Sequence, residues 1–217
     1  MVHHPDFAVD AVRRLYIGMS VRNGYAAQIL GTCKGVSDLT LRVICHHLLT
    51  TNPVIKPLEV LPLTSLSVDL SSIFHDRLSY LPNLVVAHRI ERLHLTNAWA
   101  SWPGMPVGLT RLHHLTHVSV PWSTSRSDCN LAREILEFTN LKVLILWRSG
   151  LEKYDELVKC LSRAGLEDRR IVCLDAKSYS HYLIYGGFWD FAENLIKRRE
   201  EVNGKSFSPL QVLTHAE

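Results

Sequence analysis

Apolar residues recur along this chain in a short motif, in which a large aliphatic residue is followed three and five positions later by two further apolar residues. Copies of the motif begin at seven positions, Val12, Val36, Leu63, Ile90, Leu115, Leu141 and Ile171. Successive copies start roughly 24 to 30 residues apart, a period that fits one strand and one helix per unit. The pattern therefore predicts a repeat architecture. The first six copies match well, and the seventh is degenerate.

Each motif predicts a short strand that is followed by a turn and a helical segment. The clearest helical periods lie between Cys129 and Phe138 and between Tyr154 and Ala164. A strand that returns through a helix lies parallel to the strand before it. Because helices are wider than the spacing of paired strands, the sheet curves. We therefore predict an α/β fold, a leucine-rich-repeat-like solenoid with a curved parallel sheet on its concave face and helices on its convex face.

The predicted solenoid spans residues 1–203 in about seven repeats and ends in a capping helix over residues 188–201. The apolar side chains that face inward from this helix are Phe188, Trp189, Phe191 and Leu195. Residues 204–217 show no convincing period, which predicts a flexible tail.

Alternation along each strand places every second side chain on the concave face. Alignment of the motifs predicts three ladders of residues that lie side by side on this face. The first ladder is Arg14, Asp38, Ser65, Arg92, His117, Val143 and Cys173. The second is Tyr16, Thr40, Ser67, His94, Ser119, Ile145 and Asp175, and the third is Gly18, Arg42, Asp69, Thr96, Pro121, Trp147 and Lys177. The ladders are polar in the early repeats and apolar at the sixth.

The sixth repeat places Val143, Ile145 and Trp147 on this face as an apolar strip, and exposed strips of this kind anchor protein partners. The alternative is that the C-terminal tail or the 121–128 loop folds over the strip and buries it. If the strip is open, we expect an unknown protein partner on the concave face, with Trp147 as the main contact. The predicted contact residues are Trp147, Ile145, Val143, His117, His94, Arg92, Tyr16 and Arg14.

Charge is spread thinly along the chain. Arg14, Arg42 and Arg92 suit an acidic segment of a partner, and the alternative is that they form ion pairs between neighbouring strands. The 24 basic and 21 acidic residues give a net charge of +3 without a dense Lys/Arg run, so we do not expect a nucleic-acid partner. No apolar run is long enough to cross a bilayer and no signal segment precedes the first repeat, so we expect no membrane partner.

One group of residues suggests catalysis. Ser67 and His94 fall on adjacent predicted strands, and Asp69 lies two residues beyond Ser67, a set that could serve a hydrolase. An open sheet supplies neither an oxyanion hole nor a dry cleft. We therefore predict that the chain is not an enzyme, and a small hydrolase that uses Ser67 and His94 stays as the alternative.

Metal and disulfide chemistry have weak signals. His113, His114 and His117 have a spacing that resembles a ligand set, but they lie at a turn and on the sheet and need not converge. The five cysteines are an odd number without a Cys-x-x-Cys pair, so neither a disulfide framework nor a zinc site is encoded. We expect no metal, no cofactor and a monomer. Reduced thiols predict the cytoplasm, with the nucleus as the other reducing compartment.

Several stretches carry a resemblance to a known family. They are residues 12–17, residues 29–41, Leu61-Pro62-Leu63-Thr64-Ser65-Leu66, and Gly187-Phe188-Trp189-Asp190-Phe191-Ala192-Glu193. In this order they resemble the leucine-rich-repeat-like proteins, often F-box or F-box-like, of mushroom-forming fungi. The resemblance implies that the repeats select a target for a ubiquitin ligase, whereas an N-terminal F-box binds the adaptor of the ligase.

The start of the chain departs from the F-box pattern. The first repeat begins at Val12, and the short segment before it leaves too little chain for an F-box. Adaptor binding is therefore not expected, and the chain is either a fragment with no independent function or a free-standing recognition module. The prediction that follows is a non-enzymatic protein-interaction module, similar to the target-recognition repeats of F-box receptors.

Overall fold

Seven short strands with intervening helices make up the computed structural model of the chain. It describes residues 9, 11–43, 52–74, 85–96, 109, 112–122, 126–147, 154–174 and 187–202. The strands are β1 (Arg14–Ile17), β2 (Asp38–Leu41), β3 (Ser65–Val68), β4 (Arg92–Leu95), β5 (His117–Pro121), β6 (Val143–Trp147) and β7 (Ile171–Leu174). They form a seven-stranded sheet in chain order, and its strands run parallel, which confirms the α/β class.

The described residues contain the following helices, of which the last three lie on the segments predicted to be helical. They are α1 (Asn23–Thr32), α2 (Ile55–Val60), α3 (Leu70–Phe74), α4 (Arg126–Leu136), α5 (Tyr154–Arg163) and α6 (Phe188–Val202), with a 3₁₀ helix at Val85–Arg89. The chain divides into two compact units. The first is Met1–Asn97 with Trp102–Leu115, and the second is Ala98–Ser101 with Thr116–Glu217. The predicted tail at residues 204–217 lies outside the described residues.

The first unit repeats one backbone contact from strand to strand. The carbonyl of Arg13 accepts hydrogen bonds from the amides of Ser37 and Asp38, at 2.9 and 3.0 Å. The carbonyl of Ser37 likewise accepts from residues 64 and 65, and that of Thr64 accepts from residues 91 and 92. Each strand is thereby held in the same register on the one before it. The predicted pairing of the first four strands is confirmed.

The core of the first unit lies on the helical side of β1 to β4. Its strand residues are Ile17, Leu39, Leu41, Leu66, Val68, Leu93 and Leu95, all of them buried. Helix α1 adds Ala26 and Leu30, which lie four residues apart on one helical face, and α2 adds Leu58. Burial of each large aliphatic side chain contributes about 1.5–3 kcal/mol. This apolar layer fixes which face of the four strands points away from the helices.

The second unit differs because both faces of its strands are buried. Every residue of β5, β6 and β7 is buried, as in parallel sheets that are covered on both sides. The carbonyl of Thr116 accepts from the amides of Lys142 and Val143 at 2.8 and 3.1 Å, which repeats the contact seen in the first unit. His117 pairs with Val143 as predicted.

The predicted register of the seventh strand is wrong. Leu144 pairs with Ile171 and Leu146 with Cys173, whereas the motif alignment placed Cys173 beside Val143. The error is three residues, and an odd shift moves every side chain to the opposite face of the sheet. In the observed register, Asp168 occupies the place of the first apolar residue of the motif, so the seventh copy begins three residues before Ile171.

Helix α6 covers the apolar strip of the sixth repeat. Val143, Ile145 and Trp147 of β6 form one buried cluster with Val172 and Leu174 of β7 and with Phe188, Ala192 and Leu195 of α6. Trp189 and Phe191 pack against the cluster from its edge. The helix forms as predicted, with Phe188 and Leu195 facing inward, whereas Trp189 and Phe191 are only partly buried. Of the two possibilities left open for the strip, the structure shows burial, and α6 is the cover. Burial of these three apolar side chains stabilises the packing of the helix on the sheet.

Candidate functional site

The face of the sheet that carries the predicted contact residues is exposed at β1 and buried at β6. In the first unit, the side chain of Arg14 is 75% exposed and Tyr16 is 63% exposed. Arg92 is partly buried, and His94 is only 3% exposed. In the second unit, His117 is 4% exposed and the three strip residues are 5% exposed or less. The predicted exposure is therefore correct for Arg14 and Tyr16. It is wrong for five residues, which are His94, His117, Val143, Ile145 and Trp147.

Arg14 forms an ion pair with the neighbouring strand. Its Nε donates to Oδ2 of Asp38 at 3.0 Å, and the two residues are direct partners in the register of β1 and β2. This is the cross-strand pairing that was the alternative to a free arginine. The pair is open to solvent, so it adds little to stability. It holds the guanidinium on the face of β1 from which Tyr16 also projects, since the two residues are two positions apart on the strand.

Tyr16 lies against the end of its own strand. A Cβ atom at Gly18 would lie 3.3 Å from Cε1 of Tyr16, which is closer than ordinary van der Waals contact. The glycine therefore leaves room for the Tyr16 ring. Met19 follows directly and is 64% exposed. An aromatic ring, an arginine and a methionine thus lie close together in the sequence at the exposed strand, and interfaces are rich in these residue types.

His94 is a neutral, buried imidazole. Burial, and in second place the positive charge of Arg42, lower the pKa of His94 from 6.5 to about 3. Arg42 follows the second strand on the same face, two residues beyond Thr40, which shares a ladder with His94. A base whose conjugate acid has so low a pKa accepts a proton poorly at neutral pH.

The Ser67 and His94 pair is not arranged as a nucleophile and its base. The hydroxyl of Ser67 is buried and forms no hydrogen bond with any described residue. Oδ1 of Asp69 accepts from the amide of Ser72 at 3.3 Å and so caps the start of α3. A hydrolase triad needs a hydrogen bond between the hydroxyl and one nitrogen of the imidazole, and a second hydrogen bond between the other nitrogen and the carboxylate. The first of these contacts is absent from the described part of the chain.

His117 joins strand β5 to helix α6. Its Nε2 lies 2.7 Å from Oε1 of Glu193, and its Nδ1 lies 2.7 Å from the hydroxyl oxygen of Thr116. The ring of Trp189 meets the imidazole edge to face, with centroids 5.4 Å apart. Both ring nitrogens are therefore engaged with oxygen atoms, which explains why this histidine is buried. Sequence reasoning missed Glu193 because it lies far from His117 along the chain.

The described residues hold no cluster of three or more His, Cys, Asp or Glu side chains with the geometry of a metal site. The ring of His117 has its partners in Thr116 and Glu193, and His113 and His114 are exposed in a turn. The structure does bring two other potential ligands together. Sγ of Cys129 and Sγ of Cys160 lie 3.8 Å apart, on helices α4 and α5. Their wide separation in the sequence gave no signal of this contact.

No protein-family model matches the chain, and no curated protein matches its sequence. None of the helices in the described ranges combines the length and the apolar character that crossing a lipid bilayer requires. The functional assignment therefore depends on the chemistry of the exposed strand and its neighbours.

Proposed function

We propose that the chain is a non-enzymatic protein-binding module, built as a leucine-rich-repeat-like solenoid, and that its partner binds the polar face of β1 and β2. The observation that carries the proposal is the exposure of Arg14 and Tyr16 on one face of β1, while the same face of β6 is buried under α6. The binding surface therefore belongs to the first unit rather than to the apolar strip.

The repeated backbone contact supports the repeat architecture. In each case a carbonyl just before one strand accepts hydrogen bonds from two amides at the start of the next strand. The carbonyls are those of Arg13, Ser37, Thr64 and Thr116. Within the first unit, the spacing of these carbonyls matches the period of the apolar motif, so the same geometry recurs once per repeat. Repeat architectures present an extended surface, and binding along such a surface is their usual use.

The chemistry of the exposed surface suggests the kind of partner. Tyr16 offers a rigid ring with a hydroxyl, and Arg14 offers a guanidinium that Asp38 holds by one nitrogen. Such a surface suits a protein segment that places an apolar side chain on the ring and a carboxylate or carbonyl on the guanidinium. From the resemblance to fungal F-box proteins, we propose target recognition for a ubiquitin ligase as the biological role, in the reducing cytoplasm or nucleus.

Replacement of Tyr16 by alanine tests this surface directly. We expect Tyr16→Ala to reduce partner binding at least tenfold, because truncation of a central aromatic contact removes about 2 kcal/mol or more. Tyr25→Ala is the matched control, since Tyr25 is equally exposed, at 62%, but lies on helix α1. The tagged chain and both variants are used for quantitative affinity purification from the source cells, followed by titration with the purified partner.

Two outcomes would overturn the proposal. One is a partner that the Tyr16 variant binds as tightly as the unmodified chain does. The other is turnover of generic ester substrates by the purified protein that His94→Gln abolishes, because this result would establish the hydrolase at Ser67 and His94. Circular dichroism of each variant separates loss of binding from loss of folding.

A further inference from the structure

Two thiols, one on α4 and one on α5, lie in contact. Sγ of Cys129 and Sγ of Cys160 lie 3.8 Å apart, within the distance of a sulfur hydrogen bond, and neither forms a disulfide. Partner binding on the first unit makes no use of this pair, which lies in the second unit. The thiol pair connects the helices of two successive repeats, because α4 follows β5 and α5 follows β6.

Two arginine side chains in the second unit hold these helices to neighbouring backbone. Nη2 of Arg133 donates to the carbonyl of Ala164 at 3.0 Å and so links α4 to the end of α5. Nη2 of Arg170 donates to the carbonyl of Leu136 at 2.8 Å, at the last residue of α4. A covalent S–S bond is about 2.05 Å long. Formation of the bond therefore requires the two sulfur atoms to approach each other by about 1.8 Å.

The two thiols differ in access. Cys129 is 8% exposed and lies on the buried face of α4 with Ala132 and Ile135. Cys160 is only partly buried, one position before the fully buried Leu161. A small oxidant in solution therefore reaches Cys160 first, and Cys129 is held behind it as the second thiol.

We propose that Cys129 and Cys160 form a reversible disulfide when the protein meets a hydroperoxide. The thiolate of Cys160 attacks one peroxide oxygen, the O–O bond breaks, and the leaving hydroxide takes a proton to become water, which leaves a sulfenic acid on Cys160. Cys129 then loses its proton and attacks the Cys160 sulfur, the S–O bond breaks, and a second water leaves. With hydrogen peroxide, two thiols are oxidised by two electrons and the peroxide is reduced to two waters. A dithiol reductant reverses the reaction by exchange.

The surroundings of Cys129 give the two thiols different roles. Burial raises the pKa of Cys129 to about 11, the contact with Cys160 and the charge of Asp128 act in the same direction, and the charge of Arg133 opposes them. At neutral pH this thiol is protonated and inert toward peroxide, since the thiolate is the reactive form. Cys129 is therefore the resolving thiol. The closing step should accelerate as the pH rises from 7 to 9, because the thiolate fraction of Cys129 increases.

The experiment uses the complete chain. It is treated with hydrogen peroxide, its remaining thiols are alkylated, and peptides are mapped by mass spectrometry. We expect one linked pair, Cys129 with Cys160, two hydrogen masses lighter than the free peptides and cleaved by dithiothreitol. The bond closes a loop of about 30 residues, so we expect the thermal midpoint to rise by roughly 5–10 °C on oxidation.

Variants separate this pair from unspecific oxidation. Cys160→Ser should abolish both the linked peptide and the rise of the midpoint, whereas Cys33→Ser, at a buried cysteine of the first unit, should retain both. The proposal is overturned if Cys160 of the unmodified chain proceeds to sulfinic acid without a linked peptide. It is equally overturned if other cysteine pairs predominate. Both readings come from the unmodified chain, so they stand even if a variant folds poorly.

Discussion

At the scale of single residues, His94 makes the stability of the protein depend on pH. Its pKa is about 3 in the folded chain, because burial and the charge of Arg42 disfavour the imidazolium, and about 6.5 in the unfolded chain. Between these values the unfolded state binds a proton that the folded state does not. The free energy of unfolding contributed by this residue is therefore complete above pH 6.5 and is lost as the pH falls toward 3.

His94→Gln tests this dependence, because glutamine has no charge to gain. We expect the free energy of unfolding of the unmodified chain to fall, relative to that of the variant, by up to about 1.4 kcal/mol per pH unit below pH 6.5. Urea unfolding followed by circular dichroism at pH 7.0, 6.0 and 5.0 measures the difference. Carboxylates titrate in both proteins and cancel in the comparison. Equal slopes for the two proteins would show that His94 does not stay neutral in the folded state.

At the scale of elements, helix α6 contributes stability by covering the apolar face of β6 and β7. Ile145 is completely buried beneath it, and Leu195 faces the same cluster from the helix. We expect Ile145→Ala and Leu195→Ala each to lower the free energy of unfolding by about 2–5 kcal/mol, since each leaves a cavity. Asn194→Ala, next to Leu195 but exposed, should change it by less than about 0.5 kcal/mol.

Chemical denaturation of the three variants provides the measurement, with partner binding as a second reading. If Ile145→Ala left stability unchanged and abolished partner capture, the strip would be a binding site and α6 would not cover it in solution. Loss of stability with retained binding at β1 is the result that the buried cluster predicts.

The elements also show how far the sequence led to the structure. The apolar period predicted the strands, the parallel order and the register from β1 to β4, because the copies of the motif at β2, β3 and β4 begin on a buried aliphatic residue. It failed at β7, where Asp168 replaces that residue and hides the start of the motif. The inward residues Phe188 and Leu195 were recognisable from helical spacing, but spacing does not reveal which surface a helix will cover.

Contacts between distant residues account for the remaining differences. His117 with Glu193, and Cys129 with Cys160, are brought together only by packing of whole elements, so no local pattern marks them. The burial of His94 has the same origin, since alternation along a strand gives the face on which a side chain lies and not what lies above it. Arg14 and Tyr16 at the first strand were correctly predicted to be exposed.

At the scale of the whole molecule, the balance of charge predicts how the protein precipitates. The net charge is +3 at pH 7 with the 12 histidines neutral, and the isoelectric point is about 8.6. Molecules without net charge repel one another least. We expect precipitation by polyethylene glycol to need the least precipitant near pH 8.6, and more at lower pH, where the net positive charge is larger.

Turbidity across a polyethylene glycol series, from pH 6 to 9.5, measures this dependence. If the amount of polyethylene glycol needed for precipitation were smallest well below pH 7, a large part of the basic charge would be neutralised in the folded protein. Because His94 lowers stability in acid, the range from pH 6.5 to 7.5 is expected to combine full stability with a positive net charge.

The distance along the chain between β6 and the helix that covers it has a consequence for biosynthesis. The ribosome releases Val143, Ile145 and Trp147 before it has made α6, which begins about 40 residues later. During that interval the nascent polypeptide carries an apolar strand whose cover is still missing. Chaperone capture and aggregation compete with folding at this stage. A pause in translation between the two elements would prolong the time during which the apolar strand is uncovered.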